Sequence, residues 1–337
     1  MVLRALFSFF LYLTSACAFG QDCILPLADS SFSVVENSTI IFVGEKHRQP
    51  CDYPFQLQLF QHFNKIQNRQ HLLIEYGPSF GYLIQEFIET GDLDIYHEMK
   101  FFGFGQEVLF DWIKNLEKEY KNKTIQIYGV DVENQPVLML YSIYRIYKRN
   151  GIEDSRLSDF TKRDTIPNER TNDLATLFLN DFRNNENMYK DQLSKDFNKV
   201  SHIFDNFDSA LKYYYLREID SVETAYKFRE GVMTNNIRKV VYSNDSAAKY
   251  FGQFGHIHTA QRPISNIQQI TNWESTALLL LKKHGINSSS IGIIYSDELD
   301  HMDYQLFGKE LNLIDPKPEA PIIVPSKIGV FNYLIGY

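Results

Sequence analysis

The chain of 337 residues carries 34 Lys and Arg against 42 Asp and Glu, which gives a net charge of -8. A nucleic-acid partner is therefore not expected, because a phosphate-binding surface needs an excess of basic side chains. The hydrophobic share of 44% and the charged share of 23% are typical of a globular protein. The length allows one large domain, or one domain with an insertion.

The first twenty residues have the pattern of a signal peptide. Arg4 supplies a positive charge, residues 5–13 form a short apolar run, and Ala16-Cys17-Ala18 matches a small-x-small cleavage site. We therefore predict that residues 1–20 are a signal peptide and that the protein is exported, either periplasmic or secreted. No later stretch approaches the roughly 20 apolar residues that a membrane-spanning helix needs, so we expect no transmembrane span in the mature chain.

The cysteines leave two alternatives open. Cleavage would give a mature chain that begins near Phe19 or Gln21, whereas a lipobox-like reading would anchor a lipoprotein at Cys17. Cleavage would leave Cys23 and Cys51, and an even number of cysteines in an oxidising compartment permits one disulfide. Two free buried thiols are the alternative to this bond.

Strands and helices alternate along the first part of the chain. Short apolar runs rich in β-branched residues predict buried strands at 39–43, 71–74 and 124–130. Apolar residues at helical spacing predict helices between them, at 55–66, 80–87 and 109–116. Strands that alternate with helices indicate a parallel sheet covered by helices.

The middle of the chain is more polar. Residues 154–206 are rich in Asn, Asp, Lys and Arg, which predicts surface helices that could act as a lid. A longer helix follows at 223–242, so we expect a helical insertion over about 150–245.

Strand patterns return near the C-terminus, and a Pro-rich loop separates the last two of them. The predicted segments are strands at 249–254, 291–295 and 330–335 and a loop at 315–321. The predicted fold is α/β: a central, mostly parallel sheet with flanking helices and an inserted helical subdomain, in a single domain from 21 to 337.

Four predicted strands end in side chains that could take part in catalysis. They are Glu45 and His47 after the first strand, Glu75 after the second, Asp131 after the third, and His256 and His258 after the fourth. In open α/β sheets, ligands bind beyond the carboxyl ends of the strands. Side chains two apart on an extended segment point to one side, so each Glu–His or His–His pair can converge.

Each of these residues also has a structural explanation: an ion pair for Glu75, a cap for Asp131, a satisfied core histidine for His256. Other catalytic schemes are weaker. The chain has no Gly-x-Ser-x-Gly elbow and no Gly-rich phosphate loop followed by Lys-Ser/Thr. A Cys51–His47 nucleophile is disfavoured because export favours oxidation of the thiol.

Five segments together resemble the erythromycin esterase-like proteins, which form a wider group with ChaN-type haem-binding proteins and Tiki-type proteases. In chain order they are IFVGEKH (41–47), LLIEYGPSFGYLIQEFIETGD (72–92), IYGVD (127–131), FREGVMTNNI (228–237) and FGQFGHIHTA (251–260). The resemblance covers roughly 39–263 and the terminal strands. It implies a central sheet with flanking helices and a helical insertion.

The resemblance also implies a catalytic set, which consists of Glu45, His47, Glu75 and His258. In the esterase branch the histidine activates water to open a lactone, with no bound metal required. The stretch 228–237 implies that Arg229 and Asn236 support the site. The other expected binding or support residues are Arg48, Asp131 and His256.

Two departures from the esterase pattern bear on the activity. Only Lys46 separates Glu45 from His47, whereas the esterases usually have two residues there, and this spacing is closer to the ChaN type. His256 stands where the esterases often have Asn, and an added histidine makes metal binding conceivable.

We therefore predict a hydrolase that acts on an ester, lactone or amide of a small or medium-sized substrate. His47 would be the general base for water, oriented by Glu45 or Glu75. His258, with Arg229 or His256, would stabilise the developing oxyanion.

Two alternatives belong to other classes. In a metallohydrolase, His47, His256 and His258 would bind zinc or iron. In a ChaN-type protein, the cleft would bind haem or another ligand without catalysis.

Overall fold

The computed structural model describes residues 23–25, 27, 32, 35, 37–47, 49–102, 107–157, 168–264, 270–295, 306–307, 322–325, 331 and 333–336. The predicted signal peptide, Cys17, Arg48 and the predicted loop at 315–321 lie outside these residues. Cleavage, lipidation and the role of Arg48 therefore stay predictions.

A seven-stranded sheet forms the centre of the protein. Its strands are β1 (Ile40–Glu45), β2 (His71–Ile74), β3 (Gln126–Gly129), β4 (Tyr250–Gly255), β5 (Ser288–Ile294), β6 (Ile322–Pro325) and β7 (Tyr333–Gly336). The strand order is β3-β2-β4-β1-β5-β7-β6, and every pair is parallel except β6 with β7. The predicted α/β class with a mostly parallel sheet is confirmed.

The central strands of the sheet are apolar because of their position between two layers of helices. Every residue of β1, β4 and β5 is buried, because helices cover both faces. β1 lies between β4 and β5, and its register pairs Glu45 with Gly255. The carboxyl ends of β2, β4 and β1 therefore meet at one edge, where Glu75 follows β2.

The helices of the described residues connect and cover these strands. They are α1 (Asp52–Gln67), α2 (Pro78–Thr90), α3 (Leu93–Phe102), α4 (Glu107–Tyr120), α5 (Pro136–Arg149), α6 (Asn168–Asn184), α7 (Glu186–Leu193), α8 (Phe197–Ile219), α9 (Val222–Ser243), α10 (His256–Thr259) and α11 (Thr276–His284). Helices α5 to α9 all lie between β3 and β4, which confirms the helical insertion. None of the helices formed by the described residues is long and apolar enough to cross a bilayer.

The inserted helices predicted at the surface within 154–206 also contribute residues to the core. Phe178 of α6 and Phe204 of α8 are buried in the main hydrophobic core. A helix can pack on the core through one apolar stripe while its other faces are charged. The high polarity of the whole segment therefore did not reveal these core positions. Helix α9 lies on the opposite face of the sheet, where Met233 and Ile237 pack in one cluster with Phe42.

The predicted disulfide is confirmed. Cys23 and Cys51 are bonded, with their Cα atoms 5.4 Å apart. Since Cys51 immediately precedes α1, the bond ties the N-terminal segment to the loop that follows β1.

Replacing both Cys23 and Cys51 with Ala should lower the free energy of unfolding by about 3–4 kcal/mol, because the bond closes a loop of this length in the unfolded chain. Urea denaturation with and without reductant measures this effect. Reductant should destabilise the wild type and leave the double variant unchanged. Equal midpoints for reduced and oxidised wild type would contradict the expectation.

Candidate active site

The end of β1 places a histidine at the mouth of a cleft. His47 has a φ of 67°, a left-handed conformation that a residue with a Cβ rarely adopts. This turn brings its Nδ1 within 2.6 Å of Glu45 Oε1, and Glu45 is only 7% exposed. Because Nδ1 donates its proton to Glu45, the lone pair of the neutral ring lies on Nε2. The His47 side chain is 54% exposed, so it is open to the cleft.

The electrostatic surroundings favour a proton on His47. The enclosing protein by itself would lower the pKa of His47, but the hydrogen bond to Glu45 and the charge of Glu75 outweigh this effect. The pKa of His47 is therefore raised above its ordinary value of 6.5. A base whose protonated form is stabilised in this way can accept a proton from a weak acid such as water.

Glu75 is the centre of a second, buried group of charges. Its Oε1 accepts hydrogen bonds from Arg229 Nη2 at 2.7 Å and from His258 Nε2 at 3.1 Å. Its Oε2 accepts from the backbone N of Gly255 at 2.7 Å. Burial would raise the pKa of Glu75, but the charges of His258 and Arg229 hold it well below its usual range. Glu75 is therefore a carboxylate at neutral pH.

His258 lies between two carboxylates. Its Nδ1 donates to Glu230 Oε1 and its Nε2 to Glu75, while Thr276 Oγ1 donates to Glu230 Oε2 at 2.8 Å. Burial would lower the pKa of His258, but Glu230 and Glu75 raise it to about 10. His258 is therefore an imidazolium at neutral pH. It is 2% exposed and both ring nitrogens are occupied, so it holds Glu75 instead of contacting an oxyanion directly.

Arg229 of α9 connects Glu75 to the end of β3. Its Nε donates to both carboxylate oxygens of Asp131, at 2.9 and 3.1 Å. Burial would lower the pKa of Arg229, but the charges of Asp131 and Glu75 raise it well above its ordinary value. Two turns further along α9, Asn236 donates to Val130 O at 2.9 Å. Asn236 thus supports the site by fixing α9 against the end of β3.

The strand ends enclose a cavity of roughly 230 Å³. Its lining combines the predicted polar residues with aromatic side chains; the residues are Glu45, His47, Tyr53, Gln56, Ile74, Glu75, Tyr76, Trp112, Asp131, Asn134, Arg229, Gln253 and Phe254. The structure therefore brings together residues that were predicted from four different segments of the chain.

His256 does not join this group. The expectation that His256 and His258 converge assumed an extended chain, but residues 256–259 form a turn of helix, in which residues two apart point in different directions. The ring of His256 packs edge-on against Phe307 and Phe331, with centroids 5.1 and 5.9 Å apart. His256 is not among the residues that line the cavity, and its supporting role stays a prediction.

The ligand set of the metal alternative is likewise not assembled. Among the described residues, no three His, Cys, Asp or Glu side chains are grouped so that they could hold a metal ion. The haem alternative stays a prediction, which a haem titration followed by absorption spectroscopy would test.

Sequence reasoning missed Glu230, the acid that holds His258. The sequence did contain a signal for Glu230, because this residue lies on the same helical face as buried residues three, four and seven positions later. These residues are Met233, Thr234 and Ile237. A carboxyl group on the buried stripe of a helix needs a partner. Asp52, Tyr53 and Tyr76 were also missed.

Comparison with known proteins gives the fold. No protein-family profile and no curated protein matches the sequence. Among solved structures, a mutant of the erythromycin esterase EreC in its open conformation matches with a TM-score of 0.54 and 14% identity, over 90% of this chain and 77% of that one. The chain shares the fold of this erythromycin esterase.

Two further structures have the same fold. A protein from Bacillus cereus matches with a TM-score of 0.57 and 11% identity, over 94% of this chain and 93% of that one. A succinoglycan biosynthesis protein matches with a TM-score of 0.55 and 12% identity, over 89% and 87%. The predicted resemblance is thus confirmed at the level of the fold.

The position of His47 can be tested through its tight contact with β4. A Cβ atom on Gly255 would lie 2.6 Å from His47 Nε2, so Gly255→Ala should displace the imidazole. A misplacement of about 1 Å can cost roughly 10²-fold in rate, and we expect a loss of that order in turnover of a substrate accepted by the wild type.

Gly231→Ala is the matched control. A Cβ there meets no atom within 4 Å, and Ala should stabilise helix α9 by about 0.5–1 kcal/mol without changing turnover. Thermal melts should show that both variants fold. Wild-type turnover in Gly255→Ala would refute the assigned position of His47.

Proposed function

We propose that the protein is an exported hydrolase that cleaves an ester, lactone or amide bond in a small or medium-sized substrate. The observation that carries the proposal is the environment of His47: an exposed imidazole that lines the cavity and whose Nδ1 is held by buried Glu45. This arrangement is that of a general base with its orienting acid.

The proposed reaction uses one water molecule. His47 Nε2 takes a proton from the water while the water oxygen attacks the carbonyl carbon of the substrate. Glu45 and Glu75 stabilise the imidazolium that forms, since both raise the pKa of His47. The imidazolium then returns the proton to the leaving oxygen or nitrogen as its bond to the carbonyl carbon breaks, which regenerates the neutral base.

The developing oxyanion needs donors on the cavity wall, and Arg229, Tyr53 and Tyr76 are there. The hydroxyls of Tyr53 and Tyr76 lie 2.9 Å apart. Burial raises the pKa of both phenols, so they stay neutral, and one of the two hydroxyls donates its proton to the other. Together with the charge of Arg229, they are better placed than buried His258 to stabilise the oxyanion.

Export is part of the proposal. It is supported by the signal-peptide pattern at residues 1–20 and by the Cys23–Cys51 bond, because disulfides persist in oxidising compartments. The aromatic wall of Tyr53, Tyr76 and Trp112 fits a substrate with an apolar or ring-shaped part.

A screen of esters, lactones and amides with the wild type and with His47→Ala tests the proposal. The substitution should lower kcat/KM by roughly 10²–10⁴-fold, as expected for loss of a general base. It should lower the free energy of unfolding by only about 1–3 kcal/mol, because buried Glu45 loses the donor to its Oε1 while the imidazole itself is exposed. His97→Ala, at an exposed position on α3, is the control and should leave both quantities unchanged. Undiminished turnover in His47→Ala would exclude His47 as the base.

The pH profile tests the pairing of His47 with Glu45. Because the base acts when neutral, kcat/KM should rise with pH through the raised pKa of His47. Glu45→Gln removes a negative charge that favours the protonated ring, so the pKa should fall and the rising limb should move to lower pH. A rising limb that stays in place or moves to higher pH would show that Glu45 does not act on His47.

A further inference from the structure

Asp52 is a buried carboxyl group that the proposed reaction does not use. It is the first residue of α1, it is fully buried, and it directly follows the disulfide-bonded Cys51. Its Oδ1 accepts a hydrogen bond from Tyr295 Oη at 2.8 Å, and its Oδ2 accepts one from the backbone N of Gln49 at 2.9 Å. These contacts hold the carboxyl group in one orientation.

The partner of interest is Glu45. Its Oε1 accepts the proton of His47 Nδ1, whereas its Oε2 is buried and receives no hydrogen bond from an ordinary donor among the described residues. The carboxyl group of Asp52 lies within hydrogen-bonding reach of Glu45. Two ionised carboxylates at this distance would repel each other, and Oε2 would lack a donor.

One proton on Asp52 removes the repulsion between the two carboxylates and supplies the missing donor to Glu45 Oε2. The titratable groups that face Asp52 are Glu45 from β1, Tyr295 after β5 and Tyr53 from its own helix. His47 is the only cationic group that pairs with Glu45 in the part of the chain that the structure describes, and no Lys or Arg there pairs with Asp52. Burial, followed by the charge of Glu45, raises the pKa of Asp52 to about 9, so the acid keeps its proton at neutral pH.

We propose that Asp52 is a neutral carboxylic acid that donates its proton to Glu45 Oε2 and so acts as a positioning residue for the base His47. The contacts form a chain in which Tyr295 holds Asp52, Asp52 holds Glu45, and Glu45 holds His47. Because Asp52 is uncharged, the negative charge of the pair stays on Glu45, next to the imidazole. The inference rests on the proposed role of His47 as base.

Asp52→Asn tests the protonation state without requiring a substrate. Asn keeps the size of the side chain and an N–H donor towards Glu45, and it leaves the charge of a neutral acid unchanged. The pKa of His47, measured by NMR titration of its imidazole, should therefore stay within about 0.3 unit of the wild-type value. If Asp52 were ionised, Asn would remove a negative charge near His47 and lower its pKa, as Glu45→Gln does, and that result would overturn the proposal.

Asp196→Asn is the matched control. Asp196 is also buried, but it is ion-paired with Arg149 and lies outside the cavity lining. Its substitution should leave the His47 titration unchanged. If the Asp52 variants fail to fold, the carboxyl ¹³C chemical shift of Asp52 in the wild-type protein decides the same question: the shift of a protonated acid supports the proposal, and that of a carboxylate overturns it.

Positioning is tested separately, by turnover. Asp52→Ala leaves Glu45 Oε2 without a donor, and kcat/KM should fall roughly tenfold or more, whereas Asp52→Asn should retain most of the activity. Equal losses in both variants would refute the positioning role. If no substrate is found but Asp52→Asn leaves the His47 pKa unchanged, the proposed hydrolase function fails while the neutral state of Asp52 stands.

Discussion

The burial of one carboxylate is the constraint on which the site depends. Glu75 lies at the end of a strand whose other residues enter the core, and an unpaired charge there would be too costly to keep. Three donors resolve this: Arg229, His258 and the backbone N of Gly255. Two of these donors are cations that need acids of their own. The ion pairs that balance these charges therefore connect the end of β2 with α9 and with the end of β4.

The site has two parts at the same sheet edge: a network of buried charges and an accessible base. The buried charges fix helix α9 against the strand ends, so the walls of the cavity are set before any ligand arrives. His47 stands apart from them, on a loop with a left-handed backbone, and its imidazole remains open to the cleft. A rigid charged wall beside an accessible base is the arrangement that preorganised catalysis requires, because the surrounding dipoles and charges need not reorganise during the reaction.

The features that depend on short segments could be predicted from the sequence. The strand at 71–74 has the predicted bounds, and the residues after β1 and β2 reach the site because parallel strands end at a common edge. The rest required three-dimensional knowledge. Asp52 interacts with Glu45 across the connection between β1 and α1, and the contact between Arg229 and Glu75 spans 154 residues. β6 was missed because Pro321 precedes its segment and Pro325 ends it, and proline argues against a strand. His256 and His258 were expected to converge because the chain there was assumed to be extended, whereas it forms a helical turn.

A buried imidazolium, His258, holds Glu75 in place, and this role can be tested by measuring the protonation state of His258. The ring nitrogens of His258 can be followed by ¹⁵N NMR in the wild-type protein from pH 5 to 11. Because Glu230 and Glu75 raise the pKa of His258 to about 10, both nitrogens should carry protons at pH 7 and lose one only in the alkaline range. The stability that this pairing supplies should be complete below about pH 6.5 and should decline as the pH rises towards 10. A His258 that is neutral at pH 7, with one bare ring nitrogen, would contradict the account.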